Sequence, residues 1–437
     1  MINFTAQQLD NGYLNRTPKW QFILICLLYP IWGAIASLND ILITQFQFLF
    51  SLTNLECSFV QIAYFAGYFL TAIPASRMIK QTSYKFTIVV GLLVIIFGSM
   101  LFLPAAHLAV YVYFLISLFL IAVGLSFTET AADTYNVLLG NEKQRSLRLN
   151  IAQTFLPIGS VVGILLGQYL IFSKGLNLKV KLASLSESNR LVFIKTELLR
   201  TLQPYKYLLI VLIILLMLYL VTKFPQCKPQ KVTQPQSLFT TVKTLLKNKS
   251  FVFGLFTEFM YVSLEVSVWT FVIRLVLYLN PVITEQNAST YAIYAYIAFF
   301  FGRLIADKLI QHFNEMKVLL VYCMLGFITI IYIVMVKNIS AIYAAVLVSG
   351  IMGPGYATIY AETLGYVKNP ANNETAGALI VMTLIGGAFG PFIQGWIADI
   401  TGSISISFVY HLLTFGTMIG FSIYSIKQKK ENYNDRK

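Results

Sequence analysis

Runs of about twenty mostly apolar residues recur along this chain. A helix of that length crosses the hydrocarbon core of a bilayer. Such runs lie near 21–44, 57–76, 86–104, 109–138, 149–172, 205–222, 251–279, 290–311, 317–336, 340–364, 374–398 and 404–426, about twelve in all. No water reaches the middle of a bilayer, so a spanning segment must bond its backbone internally, and runs this long do so as helices. The expected class is an all-α integral membrane protein. Composition agrees. Of 437 residues 57% are hydrophobic and only 11% charged, where a soluble domain carries about 25% charged residues. That leaves too little polarity to coat a soluble fold and too much apolar side chain for a disordered one.

Charge placement gives an expected topology. The net charge of +14 comes from 32 basic and 18 acidic residues. With the N-terminus cytoplasmic, twenty-three of the 32 basic residues fall on the inner side. That is the bias of cytoplasmic loops, and it puts both termini inside. Most of the outer positives gather around one long loop, 173–205. The basic excess is therefore a topology signal and gives no reason to expect nucleic acid as a partner. The stretch 223–249, rich in Lys, Gln and Pro, reads as a cytoplasmic linker between an N-terminal six-helix half, 1–222, and a C-terminal six-helix half, 250–437. The N-terminus has no signal-peptide layout, so the first apolar segment is expected to be retained.

Of the acids inside the apolar segments six are singled out: Asp40, Glu129, Asp133, Glu258, Glu265 and Glu362. Charged and facing lipid, they would together cost on the order of 15–20 kcal/mol. They are therefore expected to face inward, to be protonated, or both. Spacing supports an inward face. Glu129 and Asp133 are one turn apart, with Asn136 continuing the face. Glu258, Tyr261, Glu265 and Trp269 form another helical stripe, as do Asn150, Gln153 and Pro157. Trp32, Asn39 and the adjacent Asp40 stand in the first segment. Amides and carboxylates bond hydroxyl groups, and aromatic rings stack on the apolar face of a sugar ring. A carboxyl in a low-dielectric site can also take and release a proton near neutral pH. Sugar and proton at one site are the minimum for symport, since linkage makes each ligand favour the other.

Several strings carry a family resemblance: NDILITQFQ at 39–47, YFAGYFLTAIPAS at 64–76, ETAAD at 129–133, RLNIAQTF at 148–155, YVSLEVSVWTFVIR at 261–274, FGR at 301–303 and ALIVMTLIGGAFGP at 378–391. From about Trp20 to Ile426 the chain resembles the L-fucose:proton symporter family, in the fucose–galactose–glucose branch of the major facilitator superfamily. Six plus six segments about a basic central loop is also that superfamily's layout. The resemblance implies the superfamily fold, no enzymatic activity and no cofactor or metal. It implies import of a monosaccharide with a proton by a monomer in the inner membrane. L-fucose is the first expectation; glucose or galactose, with sodium as the coupling ion, is the alternative. Asp40 and Glu129 match the proton-coupling acids, and Glu129, Asn150 and Gln153 match sugar-binding positions. Asn39, Glu265 and Tyr356 complete the expected sugar site, with Asp133, Tyr261 and Trp269 as modulators. The chain departs from the family at Asp133, where an amide is usual, at Thr134 in place of proline, at Glu258 and Glu265 in place of glutamines, and at Gly355 in place of glutamine.

Other features carry plainer expectations. An integral membrane enzyme would need a nucleophile–base set or metal ligands on one face, and three histidines and four widely spaced cysteines supply neither. Gly159, Gly163 and Gly167, spaced by four, suggest close helix packing. Asp307-Lys308 after Gly302-Arg303 resembles the superfamily's loop signature. Arg274 is a possible partner for Glu265, and Glu258 and Glu362 are expected near helix ends or with local partners. His107, His312 and His411 are expected at membrane interfaces, and the end KQKKENYNDRK as a solvated tail.

Overall fold

The computed structural model describes residues 6–52, 54–171, 185–228, 237–280, 282–283 and 285–434. Among them the secondary structure is helical apart from an isolated antiparallel bridge between Gln8 and Leu14. Eleven stretches are long and apolar enough to cross a membrane. The eighth expected span is a 28-residue helix whose C-terminal end carries Arg303, Asp307 and Lys308. With it the count of about twelve holds.

The first six spans are built from α1 (Lys19–Cys26) and α2 (Leu28–Leu49), α3 (Asn54–Gln81), α4 (Tyr84–Leu108), α5 (Tyr111–Leu138), α6 (Arg145–Gln153) with α7 (Leu156–Leu170), and α8 (Glu187–Thr201) with α9 (Gln203–Val221). The linker contributes α10 (Leu238–Lys247). The last six are α11 (Lys249–Leu279), α12 (Glu285–His312), α13 (Glu315–Met335), α14 (Ile339–Ile351) with α15 (Gly355–Gly365), α16 (Asn373–Met382) with α17 (Gly386–Thr401), and α18 (Ile404–Ser407) with α19 (Tyr410–Asn434). Polar residues start these helices by satisfying first-turn N–H groups. The Ser83 hydroxyl accepts from Phe86 N, and Asn248, Asn314 and Asn338 cap α11, α13 and α14 in the same way. The expected outer loop 173–205 holds a helix, α8; residues 172–184 lie outside the described residues.

The chain divides into two compact units. The first comprises residues 1–5, 18–132 and 158–226; the second comprises 6–17, 133–157 and 227–437. Spans four and five therefore contribute to both: Asp133–Pro157 clusters with the C-terminal helices. Each unit exposes large apolar side chains, such as Ile62, Leu70 and Ile214 in the first and Ile328, Phe392 and Trp396 in the second. Hydrocarbon solvates such a surface, and polar side chains turn inward.

Small residues let backbones touch where lipid supplies no hydrophobic drive. In the first unit a Cβ at Gly159 would overlap the Pro30 carbonyl, one at Gly163 the Ser37 hydroxyl, and one at Gly167 the Ile41 side chain. The expected glycine seam thus joins α7 to α2. In the second unit Gly302 of α12 lies on the Gly350 backbone of α14, where any side chain would overlap the carbonyl.

The tenth span is broken at Met352–Pro354. Pro354 lacks an N–H, so the α-helical bond to the Gly350 carbonyl cannot form. Gly353 N reaches that carbonyl instead, at 3.2 Å. Two carbonyls at the break take donors from other helices: Tyr261 Oη donates to Met352 O at 3.0 Å, beside the Gly355 N–H, and Arg303 Nε donates to Gly353 O at 2.6 Å. Arg303 is 1% exposed, with its guanidinium 4.6 Å above the Phe299 ring centroid.

Candidate functional site

In the first unit, Trp32 and Asn39 of α2 are buried, and among the described residues the Trp32 indole N–H and the Asn39 carbonyl oxygen lack hydrogen-bond partners. Asp40 follows on the same helix, and its side chain lies outside the described residues. Glu129 of α5 is buried and interacts with Tyr68 of α3, whose ring lies 5.4 Å from that of Tyr64. A carboxyl with a phenol beside it, and an amide and an indole on α2 without partners among the described residues, are the polar groups this unit offers from the expected set.

The second unit gathers more of the expected residues. Asp133, wholly buried, accepts from the Tyr356 hydroxyl at 3.0 Å. Its neighbour Thr134 shares a hydrogen bond with Tyr360 at 2.9 Å. Asn150 donates to Thr358 Oγ1 at 3.1 Å and to the Ser146 carbonyl at 3.0 Å, while its own buried carbonyl oxygen has no partner among the described residues. Gln153, one turn along, is buried on the same helix. Spans four and five thus meet α15 through three polar pairs, none of which can be read from local spacing.

The stripe on α11 behaves as its period predicts. Tyr261 Oη donates to Glu265 Oε1 at 2.9 Å, one turn away. Trp269 stacks on Tyr296, with centroids 4.6 Å apart, and meets Phe299 edge-on at 5.2 Å; its N–H lacks a partner among the described residues. Glu258 is wholly buried, far from either end of α11. The Tyr261 ring explains Gly355: a Cβ there would overlap Cε2 and Cδ2 of that ring. Tyr261 fills the space a longer residue at 355 would need.

Some expectations change. Arg274 lies over the Phe271 ring at 4.9 Å, and the cation acting on Glu265 is Arg303. Glu362 has two partners, Arg145 Nη2 at 3.3 Å and Lys429 Nζ at 2.9 Å. Lys429 also binds Glu315 at 2.7 Å, so the basic tail includes a structural cation. His411 is wholly buried, with Nε2 3.0 Å from Gln394 Oε1, because α19 turns this residue toward α17 and away from any interface. Asp307 accepts from Thr154 at 3.1 Å, which ties the loop-signature acid to span five.

Arg303 is the residue sequence reasoning undervalued. Its acceptor, Gly353 O, is fifty residues away. The available signal was Pro354, which announces a freed carbonyl nearby.

In the second unit the carboxyls of Asp133 and Glu265 are thus each set against a tyrosine hydroxyl, and the Asn150 carbonyl oxygen and the Trp269 N–H lack partners among the described residues. A polyhydroxylated ligand offers both kinds of partner at once. Comparison with known proteins agrees in kind. The Major Facilitator Superfamily model matches residues 21–391. The chain is 31% identical to the L-fucose-proton symporter of Escherichia coli (strain K12), over 96% of each chain. It is 27% identical to a glucose/galactose transporter of Brucella abortus (strain 9-941), covering 92% of this chain and 93% of that one. A crystal structure of the Escherichia coli fucose:proton symporter superposes with a TM-score of 0.82 at 28% identity, covering 93% of this chain and 98% of that one. The chain belongs to the major facilitator superfamily, in its L-fucose:proton symporter family.

Proposed function

We propose that this protein imports a monosaccharide together with a proton across the bacterial inner membrane, as a monomer with both termini in the cytoplasm. The carrying observation is chemical: acids paired with phenol hydroxyls, buried Asp133 with Tyr356 and half-buried Glu265 with Tyr261, and the buried carbonyl oxygen of Asn150, which has no partner among the described residues. Asp40 and Glu129 couple the proton. Asn39, Glu129, Asn150, Gln153, Glu265 and Tyr356 bind the sugar, and Asp133, Tyr261 and Trp269 adjust its fit. A proton on a carboxyl removes a charge that is costly to bury, so sugar and proton favour each other's binding. Rocking of the two six-helix halves then exposes the site to either side in turn. No cofactor is required.

L-fucose is the sugar proposed first, because the relatives named as L-fucose-proton symporters share the higher identities, 31% and 29%. A second reading, glucose or galactose, is favoured by Glu265 and by the ring of Tyr261 over Gly355, which together replace an amide with an acid and a phenol. Uptake of labelled L-fucose, D-arabinose, galactose and glucose into proteoliposomes, under separate proton and sodium gradients, distinguishes them. Asp40→Asn and Glu129→Gln should each abolish sugar-driven alkalinisation of the medium, and Asn150→Ala should weaken sugar binding about 10-fold, the value of one lost hydrogen bond. Coupling at the parental ratio in either acid variant rejects the proton assignment; an unchanged dissociation constant in Asn150→Ala removes that residue from the site.

A further inference from the structure

Glu258 stands apart from the other acids of the second unit. Asp133 and Glu265 each accept from a tyrosine hydroxyl, and Glu362 is paired with two cations. Glu258 is 0% exposed, and neither carboxyl oxygen has a hydrogen-bond partner among the described residues. The charged groups that act on it are Glu265, two turns along its own helix, and Asp133 of α5. Both are acids. The buried cation of this region, Arg303, acts on Glu265 and donates its Nε–H to the Gly353 carbonyl. An ionised carboxylate needs donors or a cation when it leaves water, and Glu258 has neither. Ionised, it would be an uncompensated buried charge. A metal ion is a poor substitute: among the described residues no three His, Cys, Asp or Glu side chains are grouped to hold one.

A carboxyl kept only to fill space would have its polar atoms satisfied, as nearly all buried polar groups are. The open oxygens mean that this conformation is not the one in which Glu258 is solvated or donated to. We infer that Glu258 is a second proton-binding site, in the C-terminal half and separate from Asp40 and Glu129, which holds its proton in the conformation described and exchanges it once per transport cycle. The inference rests on the symport reading for its cycle, but the proton itself can be observed without any sugar.

The first measurement is the infrared absorption of protonated carboxyl groups in the lipid-reconstituted protein, at neutral pH and without sugar. A band from a water-excluded carboxyl is expected in the parent and in the Asp40→Asn/Glu129→Gln double variant, and is expected to vanish in Glu258→Gln. Isotope labelling of glutamate in the unsubstituted chain must shift the same band, which serves if the Gln variant does not fold. A band that persists in Glu258→Gln, or that ignores glutamate labelling, overturns the site. The second measurement is the ratio of protons to sugar in proteoliposomes. Glu258→Gln should carry one proton fewer per sugar than the parent, lowering steady-state accumulation about 50-fold at roughly 100 mV. An unchanged ratio makes Glu258 a fixed neutral group and overturns the exchange. Absence of any sugar-driven proton movement in the parent rejects the symport reading, while the infrared result stands independently.

Discussion

At the level of single residues, the most informative side chains are those whose partner is far away in the chain. The i, i+4 contact of Tyr261 with Glu265 was legible from helical period. The contact of Asp133 with Tyr356 was not, because 223 residues separate them and only packing brings them together. Arg303 is the extreme case. Its sequence context suggested a cytoplasmic loop signature, yet its Nε–H closes a backbone gap inside the tenth span. Replacing it with lysine keeps the charge but loses the planar fork and the stacking on Phe299. The Gly353 carbonyl is then left without a donor, at a cost of about 1–3 kcal/mol. Arg303→Lys should lower the melting temperature of the purified protein measurably, and an unchanged value would show that another donor serves that carbonyl. The same logic explains His411. It stands near the start of the last apolar run, which reads as an interface, but Gln394 of α17 offers an acceptor in the interior.

At the level of elements, the spans themselves were readable because hydropathy over twenty residues is a strong signal. Their interruptions were less so. Pro354 marks one break, and Pro30 and Pro157 mark those at Leu27 and Thr154–Phe155, since each lacks the N–H that would bond Cys26 or Gln153 one turn back. The break at Thr383–Ile385 has no such proline and is a tighter turn, which depends on tertiary packing. The glycines divide in the same way. Gly302 touches the Gly350 backbone, whereas Gly416 on α19 has nothing within 4 Å of an added Cβ. Gly302→Ala should therefore destabilise the protein by about 1–3 kcal/mol through overpacking. Gly416→Ala should stabilise it by up to about 1 kcal/mol through helix propensity. Thermal unfolding of the two variants side by side tests both signs; equal shifts would mean that the close approach of α12 to α14 does not persist in the folded protein.

At the level of the molecule, a charge network ties distant parts of the second unit. Arg145 begins α6, Glu362 lies near the end of α15, Glu315 begins α13, and Lys429 stands late in α19. Sequence order gave no hint of it, since the tail lysines look like topology determinants alone. Because Glu362 is almost wholly buried, removing one partner leaves an uncompensated charge. Glu362→Gln and Lys429→Met should each destabilise more than half as much as the two together, with a coupling of about 1–3 kcal/mol in a double-mutant cycle. Strict additivity would reduce the network to a surface contact. The glycine contacts have a mechanical meaning as well. Where α12 and α14 meet through Gly302 and Gly350, and α2 and α7 through Gly159 and Pro30, no side chain lies between the backbones as a cushion. Each pair is a stiff joint with no slack: a displacement of one rod at its inner end is delivered to the other undiminished, and the compliance that any transport stroke requires must be found elsewhere, in the interrupted helices.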